Sequence, residues 1–317
     1  MIEGEMPQIG VLVGPTASGK TALGVAVAKR MQAEIISADS IQIYRDIHIG
    51  SAKPTVQEME GIPHHLLDIA DIDGPRFSVA QYQTLAQETI RKIFAAGKYP
   101  LVVGGTGLYI SALTGNLDFS AAAGDEELRA SLAAQEKEHP GILYSMLREE
   151  DPVSYARLHP NDTKRIIRAL EVKRLTGQPI GASFEKRAGE GSLPYAVTIV
   201  GLTMPRQLLY SRIEARVDTM MEQGLLEEVR ELWDRGYNRE LPALQGLGYK
   251  QLFAYFAGEC SLDKAVEDIK RETRHFAKRQ LTWFRRDKRI TWLDITQYNG
   301  DGIVDAACAL FAARPEV

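Results

Sequence analysis

The chain has 317 residues, 44% hydrophobic and 25% charged, an ordinary composition for a globular protein of one large domain or two smaller ones. Its formal net charge is −4, so the total charge does not indicate a nucleic-acid partner, which would have to meet a local basic patch. The two cysteines, Cys260 and Cys308, lie far apart, which excludes a cysteine-based zinc module and is typical of a reducing compartment. Because no signal-peptide pattern and no apolar run of membrane-spanning length is present, we expect a cytoplasmic protein without membrane contact.

The first predicted elements are a strand over residues 9–13, a glycine-rich loop over residues 14–21 and a helix over residues 22–31. The loop fits the pattern Gly-x4-Gly-Lys-[Ser/Thr], in which backbone N–H groups, the lysine and the helix dipole hold a phosphate anion while the last hydroxyl reaches Mg²⁺. The predicted phosphate-binding residues are Gly14, Thr16, Ala17, Ser18, Gly19, Lys20 and Thr21, with Thr21 as the magnesium ligand. By pattern alone the loop suggests ATP or another nucleotide, but it does not identify the phosphate compound.

The next elements continue an alternation of strands and helices. A short apolar strand over residues 34–38 runs into Asp39, a helix over residues 78–96 has Ser78 as a plausible N-cap, and a strand over residues 99–103 runs into a glycine-rich turn with Thr106. Such alternation predicts a parallel sheet with helices on both faces, and ligands of such sheets bind beyond the carboxyl ends of the strands. The phosphate loop, Asp39 and Thr106 are therefore expected to converge on one crevice.

The sequence predicts a P-loop NTPase-like α/β core that is interrupted by a helical insertion. Residues 1–118 form the first part of the core, residues 119–193 an all-helical insertion domain, and residues 194–317 the second part with basic C-terminal helices. In the last part we expect a strand over residues 196–202, a helical stretch broken near Gly224, a long helix after an N-cap at Ser261 and a final strand over residues 289–294. The loop over residues 50–76, between the second strand and the helix over residues 78–96, contains His64 and His65. Two adjacent histidines are more often structural than metal-binding when no third ligand follows at a fixed spacing.

Asp39 is the candidate general base, since a carboxylate beside a phosphate loop can accept the proton of an incoming nucleophile. A helix N-cap, or a partner of magnesium-bound water, is the alternative role. The strand that ends before Gly104 carries no acid at the position where magnesium-dependent ATPases usually have one, which argues mildly against ATP hydrolysis.

Basic residues are concentrated in one segment, residues 270–289. It contains nine lysines and arginines and only two acidic residues, which gives a local charge of +7. Aromatic residues are interleaved with them, as in surfaces that bind single-stranded nucleic acid, although a solvated helix face is the alternative. A second basic cluster, in the helical insertion, contains Lys164, Arg165, Arg168, Lys173 and Arg174, and the two clusters together favour RNA. Arg212 and Arg216 lie on one helix face and either clamp a diphosphate or pair with nearby acids.

Six motifs together resemble the bacterial tRNA dimethylallyltransferases: residues 14–21, 39–44 (Asp-Ser-Ile-Gln-Ile-Tyr), 104–109 (Gly-Gly-Thr-Gly-Leu-Tyr), 159–162 (His-Pro-Asn-Asp), 245–250 (Gln-Gly-Leu-Gly-Tyr-Lys) and 278–284 (Lys-Arg-Gln-Leu-Thr-Trp-Phe). They span nearly the whole chain in order. The one variation is a conservative one, Leu247, where isoleucine is expected.

The resemblance implies transfer of a dimethylallyl group from dimethylallyl diphosphate to the N6 amine of the adenosine 3′-adjacent to the anticodon in tRNA. It implies Mg²⁺ as cofactor and a tRNA anticodon stem-loop as partner. Separately, we expect a monomer. Its catalytic residues would be Asp39, Thr106, Lys20 and Arg216, and Arg212 would join the phosphate loop in binding the diphosphate. The implied tRNA-binding residues are Asp39, Ser40, Ile41, Gln42, Thr106, Lys164, Arg165, Arg168, Gln245, Gly246, Gly248, Lys250, Arg274, Lys278 and Arg279.

Two other functions compete with this one. A small-metabolite P-loop kinase explains the loop and Asp39 but leaves the basic segments unexplained. A non-catalytic RNA-binding module explains the basic segments but gives Asp39 and Thr106 no role.

Overall fold

The structure is a computed structural model, and it describes residues 7–115, 124–179 and 193–313. The chain divides into two compact units, one formed by Met1–Ile110 and Pro194–Val317 and the other by Ser111–Leu193. The predicted domain boundary after residue 118 lies outside the described residues.

A six-stranded parallel sheet forms the centre of the larger unit. Its strands are β1 (Gln8–Val13), β2 (Ala33–Ala38), β3 (His64–His65), β4 (Tyr99–Gly104), β5 (Ala196–Thr203) and β6 (Ile290–Asp294), in the spatial order β3-β2-β4-β1-β5-β6. All residues from Ile9 to Val13 are buried, and since neighbouring strand residues point to opposite faces, both faces of the sheet are covered. The predicted fold class is confirmed.

The helices of the larger unit are α1 (Lys20–Met31), α2 (Val56–Met59), α3 (Val79–Ala95), α4 (Gly107–Thr114, whose first turn belongs to this unit), α9 (Arg206–Glu222), α10 (Leu225–Asp234), α11 (Tyr249–Phe256), α12 (Leu262–Phe284) and α13 (Gly302–Ala312). Several apolar clusters of described residues stabilise this unit, and two of them are large. In one, Leu23 and Val27 of α1 pack with Phe311 of α13 and with Leu12 and Leu101 of the sheet. The other gathers residues of α9 to α12 around the chain that follows β2.

The smaller unit contains the helices α5 (Glu126–Glu138), α6 (Ile142–Glu150), α7 (Pro152–Tyr155) and α8 (Thr163–Thr176), and no strand lies among its described residues. Its core is apolar, formed by Leu132, Leu143, Leu147, Ile166 and Leu170. The fully buried Glu171 accepts hydrogen bonds from the Asp125 N–H at 2.8 Å and from Arg168 at 2.6 Å. Charged partners are required there because an unpaired buried carboxylate is strongly destabilising.

Local sequence signals located three helix boundaries correctly. The Ser78 and Ser261 side chains accept hydrogen bonds from the N–H groups of Gln81 and Lys264, as N-caps do. The predicted break falls at Gly224, whose φ of 99° separates α9 from α10. The strand β3 was not predicted, because a two-residue edge strand has no apolar run to mark it.

Candidate active site

The carboxyl ends of three neighbouring strands define the site. Val13 and Ala38 are both in register with Gly104, so the residues that follow them start from the same edge of the sheet. The chain leaves β1 towards one edge of the sheet and β4 towards the other, which makes this the topological switch point where parallel sheets bind ligands. The three motifs expected to converge there begin at these three strand ends.

The phosphate loop curls through three residues with positive φ: Gly14 at 152°, Ala17 at 61° and Gly19 at 87°. A Cβ on Gly14 would lie 3.0 Å from the Leu202 carbonyl oxygen, which explains glycine at this position. The helix α1 starts at Lys20, so the positive end of its dipole points at the loop. The loop has the geometry of an anion site.

Two basic side chains lie close enough at this site for their charges to interact. Burial and the Arg216 charge lower the pKa of Lys20 to about 7, and the Asp39 carboxylate opposes this shift. Burial also lowers the pKa of Arg216, again against the attraction of Asp39. The Lys20 ammonium donates to the Pro15 carbonyl at 2.7 Å. An anion that enters between these cations would offset the electrostatic cost of holding them together.

The hydroxyl groups of the loop fit a phosphate ligand with magnesium. The Ser18 Oγ is buried and has no hydrogen-bond partner among the described residues. Thr21 is exposed in the first turn of α1. Within the described chain, no group of three or more His, Cys, Asp and Glu residues could hold a metal ion. A magnesium ion here would need the Thr21 hydroxyl and substrate oxygens, the manner in which Mg²⁺ usually binds.

Asp39 begins the turn that follows β2. Its Oδ1 accepts the N–H groups of Ile41 at 2.9 Å and Gln42 at 3.4 Å, so this oxygen caps the turn. The other oxygen, Oδ2, has no hydrogen-bond donor in the part of the chain that the structure describes. The capping role and a proton-accepting role are compatible, because they use different oxygens.

Thr106 joins the turn after β2 to the turn after β4. Its hydroxyl accepts the Ser40 N–H at 3.0 Å and donates to Ser40 Oγ at 3.3 Å, while its own N–H donates to the Ala38 carbonyl at 3.1 Å. A Cβ on Gly104 would lie 2.2 Å from the same carbonyl oxygen. This close approach fixes Asp39 relative to Thr106.

Gln42 was expected at the RNA surface, but both polar atoms of its side chain form hydrogen bonds within the protein. Its Nε2 donates to the carbonyls of Ser51 at 3.3 Å and Ala52 at 3.0 Å, and its Oε1 accepts the Ser37 hydroxyl at 3.2 Å. Its amide therefore stabilises the loop that follows Asp39. The partly buried Ile41 packs against the apolar cluster of α9 to α12.

The residues 245–250, also expected to contact RNA, help to hold that same loop. Tyr249 donates to the Glu228 carboxylate at 2.7 Å, and Glu228 accepts the N–H groups of His48, Ile49 and Gly50 at 2.8–3.1 Å. Burial and then the Glu228 charge raise the pKa of Tyr249. The expected contact residues of the turn lie as follows: Gln245 is exposed and donates to the Arg239 carbonyl, Gly246 and Gly248 are buried, and Lys250 is partly exposed.

Gln280 of α12 is the site residue that sequence reasoning missed. Its Oε1 accepts the Thr16 N–H at 2.8 Å, and its Nε2 donates to the Gly105 carbonyl at 2.9 Å. It thereby takes the Thr16 N–H that was expected to bind the diphosphate. The motif over residues 278–284 contains Gln280, but nothing in the pattern indicates partners 264 residues away.

The basic segment contains both paired and unpaired cations. Lys270 pairs with Asp218 at 2.5 Å, and Arg274 with Glu214 at 2.6 Å. Lys278 and Arg279 are exposed, and Arg279 lies over the Phe276 ring at 5.8 Å. Among the described residues, no acidic side chain pairs with Lys278, Arg279, Arg285, Arg286 or Lys288. A free basic surface therefore remains around the C-terminal end of α12.

Five other predicted cations include both paired and exposed side chains. Arg165 pairs with Asp162 at 3.1 Å and Arg168 with the buried Glu171, whereas Lys164 is exposed. Arg212 is exposed on α9, one turn before the partly buried Arg216. Of the two histidines expected to be structural, His65 pairs with Glu34 at 2.7 Å.

A phosphate loop at the switch point of a parallel sheet, with a carboxylate at the same sheet edge, defines a P-loop α/β protein with a candidate site for a phosphorylated ligand. The family model for IPP transferase matches residues 42–287. The chain belongs to this family, and the resemblance found in its motifs is confirmed.

Individual relatives agree with this assignment. The tRNA dimethylallyltransferase of Pelotomaculum thermopropionicum is 49% identical over 288 residues, 91% of each chain. The solved tRNA isopentenylpyrophosphate transferase of Bacillus halodurans is 41% identical with a TM-score of 0.73, covering 97% of this chain and 96% of its own. A solved eukaryotic dimethylallyltransferase acting on tRNA is 28% identical with a TM-score of 0.81, covering 95% of this chain and 77% of its own.

No described helix combines the length and the apolar character needed to cross a bilayer.

Proposed function

We propose that the protein transfers a dimethylallyl group from dimethylallyl diphosphate to the N6 amine of the adenosine 3′-adjacent to the anticodon in tRNA, releasing diphosphate. The observation that carries the proposal is the place of Asp39. Its carboxylate lies at the same sheet edge as the phosphate loop, near enough for its charge to act on Lys20 and Arg216. The relatives' names, tRNA dimethylallyltransferase and tRNA isopentenylpyrophosphate transferase, support tRNA as the acceptor and a five-carbon prenyl diphosphate as the donor.

The chemistry requires a base because the N6 lone pair of adenosine is delocalised into the ring. As the N6–C1 bond forms, the C1–O bond of the donor breaks and its electron pair leaves with the diphosphate. The N6 proton passes to Oδ2 of Asp39, the oxygen without a donor, while Oδ1 keeps the turn in place. Thr106 holds that turn through its hydrogen bond with Ser40 and so orients the Asp39 carboxylate, the general base.

The leaving diphosphate gains negative charge, which the loop is suited to stabilise. Lys20 and Arg216 supply positive charge, the buried Ser18 hydroxyl supplies a donor, and the exposed Arg212 is proposed to reach the outer phosphate. A magnesium ion held by the Thr21 hydroxyl and the phosphate oxygens would add further charge neutralisation.

The acceptor adenosine must leave its stack to reach the sheet edge, at a cost of a few kcal/mol that is lowest in an already single-stranded loop. We propose that Lys278 and Arg279 bind RNA phosphates and that the helical unit contributes through Lys164 and Arg165. Trp283, 40% exposed beside these cations, offers a ring for base stacking. All these groups come from one chain, so the proposal needs no second subunit and includes action as a monomer. Because the proposed substrate is tRNA, we propose that the protein acts in the cytoplasm.

The test is mass spectrometry of tRNA nucleosides after incubation with dimethylallyl diphosphate and magnesium. We expect one prenylated adenosine per acceptor tRNA, and none when the donor is omitted. Absence of this product with wild-type enzyme would contradict the proposal. Transfer of labelled phosphate from ATP to a small acceptor would instead favour the kinase.

The double change Lys278→Ala with Arg279→Ala should weaken tRNA binding most at low salt. Each phosphate contact on single-stranded RNA contributes about 0.7 to the slope of log K against log salt, so the slope should fall by about 1.4. Binding titrations at several salt concentrations measure it. Lys264→Ala is the control, because Lys264 is exposed on the same helix but pairs with Asp268 at 3.1 Å. An unchanged slope in the double variant would place the RNA elsewhere.

A further inference from the structure

Gln280 lies between the two halves of the proposed site. Its side chain is 6% exposed, with the amide oxygen on the Thr16 N–H of the phosphate loop and the amide nitrogen on the Gly105 carbonyl. Both partners are backbone groups of loops that follow different strands. One side chain therefore links the loop proposed to bind the leaving group to the turn that carries Thr106.

The helix α12 fits closely against both glycines that flank Thr106. A Cβ on Gly105 would lie 2.3 Å from Gln280 Nε2, and a Cβ on Gly107 would lie 2.4 Å from Trp283 Cδ1. Trp283 is three residues after Gln280, so the two side chains share a helix face. Contact at two points fixes the position of the helix along the turn.

An amide is the group that these two partners require. Oε1 must accept and Nε2 must donate, and a glutamine side chain supplies both with no net charge. Because the site is buried, a group that satisfied only one partner would leave the other at the cost of desolvation. The Thr16 N–H, held in this way, fixes the loop conformation instead of contacting the ligand.

We propose that Gln280 is a positioning residue that sets the distance between the diphosphate cradle and the Thr106–Asp39 side, where the nucleophile loses its proton. This inference rests on the proposed function. A displacement of about 1 Å between reacting groups can lower a rate by about 10²-fold, so a clamp at this point governs turnover more than binding.

Gln280→Met keeps the size of the side chain and removes both hydrogen bonds. We expect kcat to fall by about 10²-fold, with KM for each substrate changing by no more than about threefold. Thr282→Ala is the matched control, because Thr282 is exposed on the same helix and bonds only to the Lys278 carbonyl of that helix. A kcat within twofold of wild type in Gln280→Met would overturn the proposal.

Gln280→Glu separates positioning from a general structural role. When protonated, the new carboxyl group accepts the Thr16 N–H and donates its O–H to the Gly105 carbonyl, as the amide does. When ionised, it loses that donor and places a charge against the carbonyl oxygen. The ratio of its kcat to that of wild type should therefore rise as pH falls, with both enzymes measured at each pH so that pH effects common to both enzymes cancel. The charged groups on the elements around Gln280 include Lys20 at the end of the phosphate loop, Lys278 and Arg279 beside it on α12, and Arg212, Glu214 and Arg216 on α9, which packs against α12, whereas the turn at residues 104–107 carries none. A ratio well below one that does not rise at acid pH would overturn the proposal.

Hydrogen exchange tests the clamp without any turnover. The Thr16 amide should exchange at least tenfold faster in Gln280→Met than in wild type or Thr282→Ala, and equal exchange would overturn the proposal. If wild type yields no prenylated adenosine, the proposed function fails, while this measurement still decides whether Gln280 holds the loop.

Discussion

Replacing Asp39 with asparagine is expected to lower kcat by roughly 10²- to 10⁴-fold while affinity for tRNA stays within about twofold. Asparagine retains an oxygen that can accept the Ile41 N–H, now at 2.9 Å, so the turn after β2 keeps its cap. What is lost is the ability of the second oxygen to take a proton. The loss should therefore fall on the chemical step.

Single-turnover rates and tRNA binding titrations measure this split. Asp46→Asn is the matched control, since Asp46 is an exposed aspartate of the same loop whose partner is Arg235 at 3.2 Å. If Asp39→Asn instead loses tRNA affinity in proportion to its activity, Asp39 recognises the RNA and is not the base.

Replacing Lys20 with methionine is expected to lower kcat/KM by roughly 10²- to 10³-fold, the usual loss when one group that stabilises developing charge is removed. Lys29→Met is the control, because Lys29 is exposed on the same helix and pairs with Glu60. Steady-state rates over a range of donor concentrations measure the effect, and a change below about threefold would remove Lys20 from the leaving-group site.

Proton uptake on diphosphate binding gives a second test of whether Lys20 contacts the diphosphate. Its pKa is about 7 in the free protein, and a bound anion raises that pKa because it favours the ammonium form. Below pH 7 the group is charged in both states and affinity is highest. Above pH 7 binding takes up as much as one proton, and affinity falls with rising pH by at most about tenfold per unit.

Calorimetry of diphosphate binding at pH 8, in buffers of different ionisation enthalpy, counts these protons. Wild type should take up more protons than Lys20→Met at the same pH, which removes the contribution of the ligand's own titration. Equal uptake in the two proteins would assign the linkage to another group.

The parts of the fold that were predicted depend on neighbouring residues. The phosphate loop, the caps at Ser78 and Ser261 and the break at Gly224 are all encoded within a few positions, where backbone preference decides the structure. The expectation that the three motifs meet followed from a general property of parallel sheets, not from any contact visible in the sequence.

The parts that were not predicted depend on distant partners. Nothing beside Gln280 indicates Thr16, and nothing beside Gln42 indicates that its amide is used by Ser51 and Ala52. A polar side chain in a motif can bind a substrate or hold a loop, and only its neighbours in space distinguish the two. The turn over residues 245–250 is an example: it was expected to contact RNA, but the Tyr249 hydroxyl donates a hydrogen bond to the Glu228 carboxylate within the protein.

The pairing of Thr16 with a residue 264 positions later also has a consequence for the newly made protein. At a synthesis rate of 5–20 residues per second, the ribosome reaches the clamping glutamine roughly 10 to 50 s after the loop has been made. The central strand β1 likewise cannot pair with its neighbour β5 until the ribosome has made the helical insertion, because β5 follows the insertion in the sequence. Nascent chains are therefore expected to have no competent substrate site until synthesis is almost complete, so that fragments released early cannot occupy tRNA as defective catalysts.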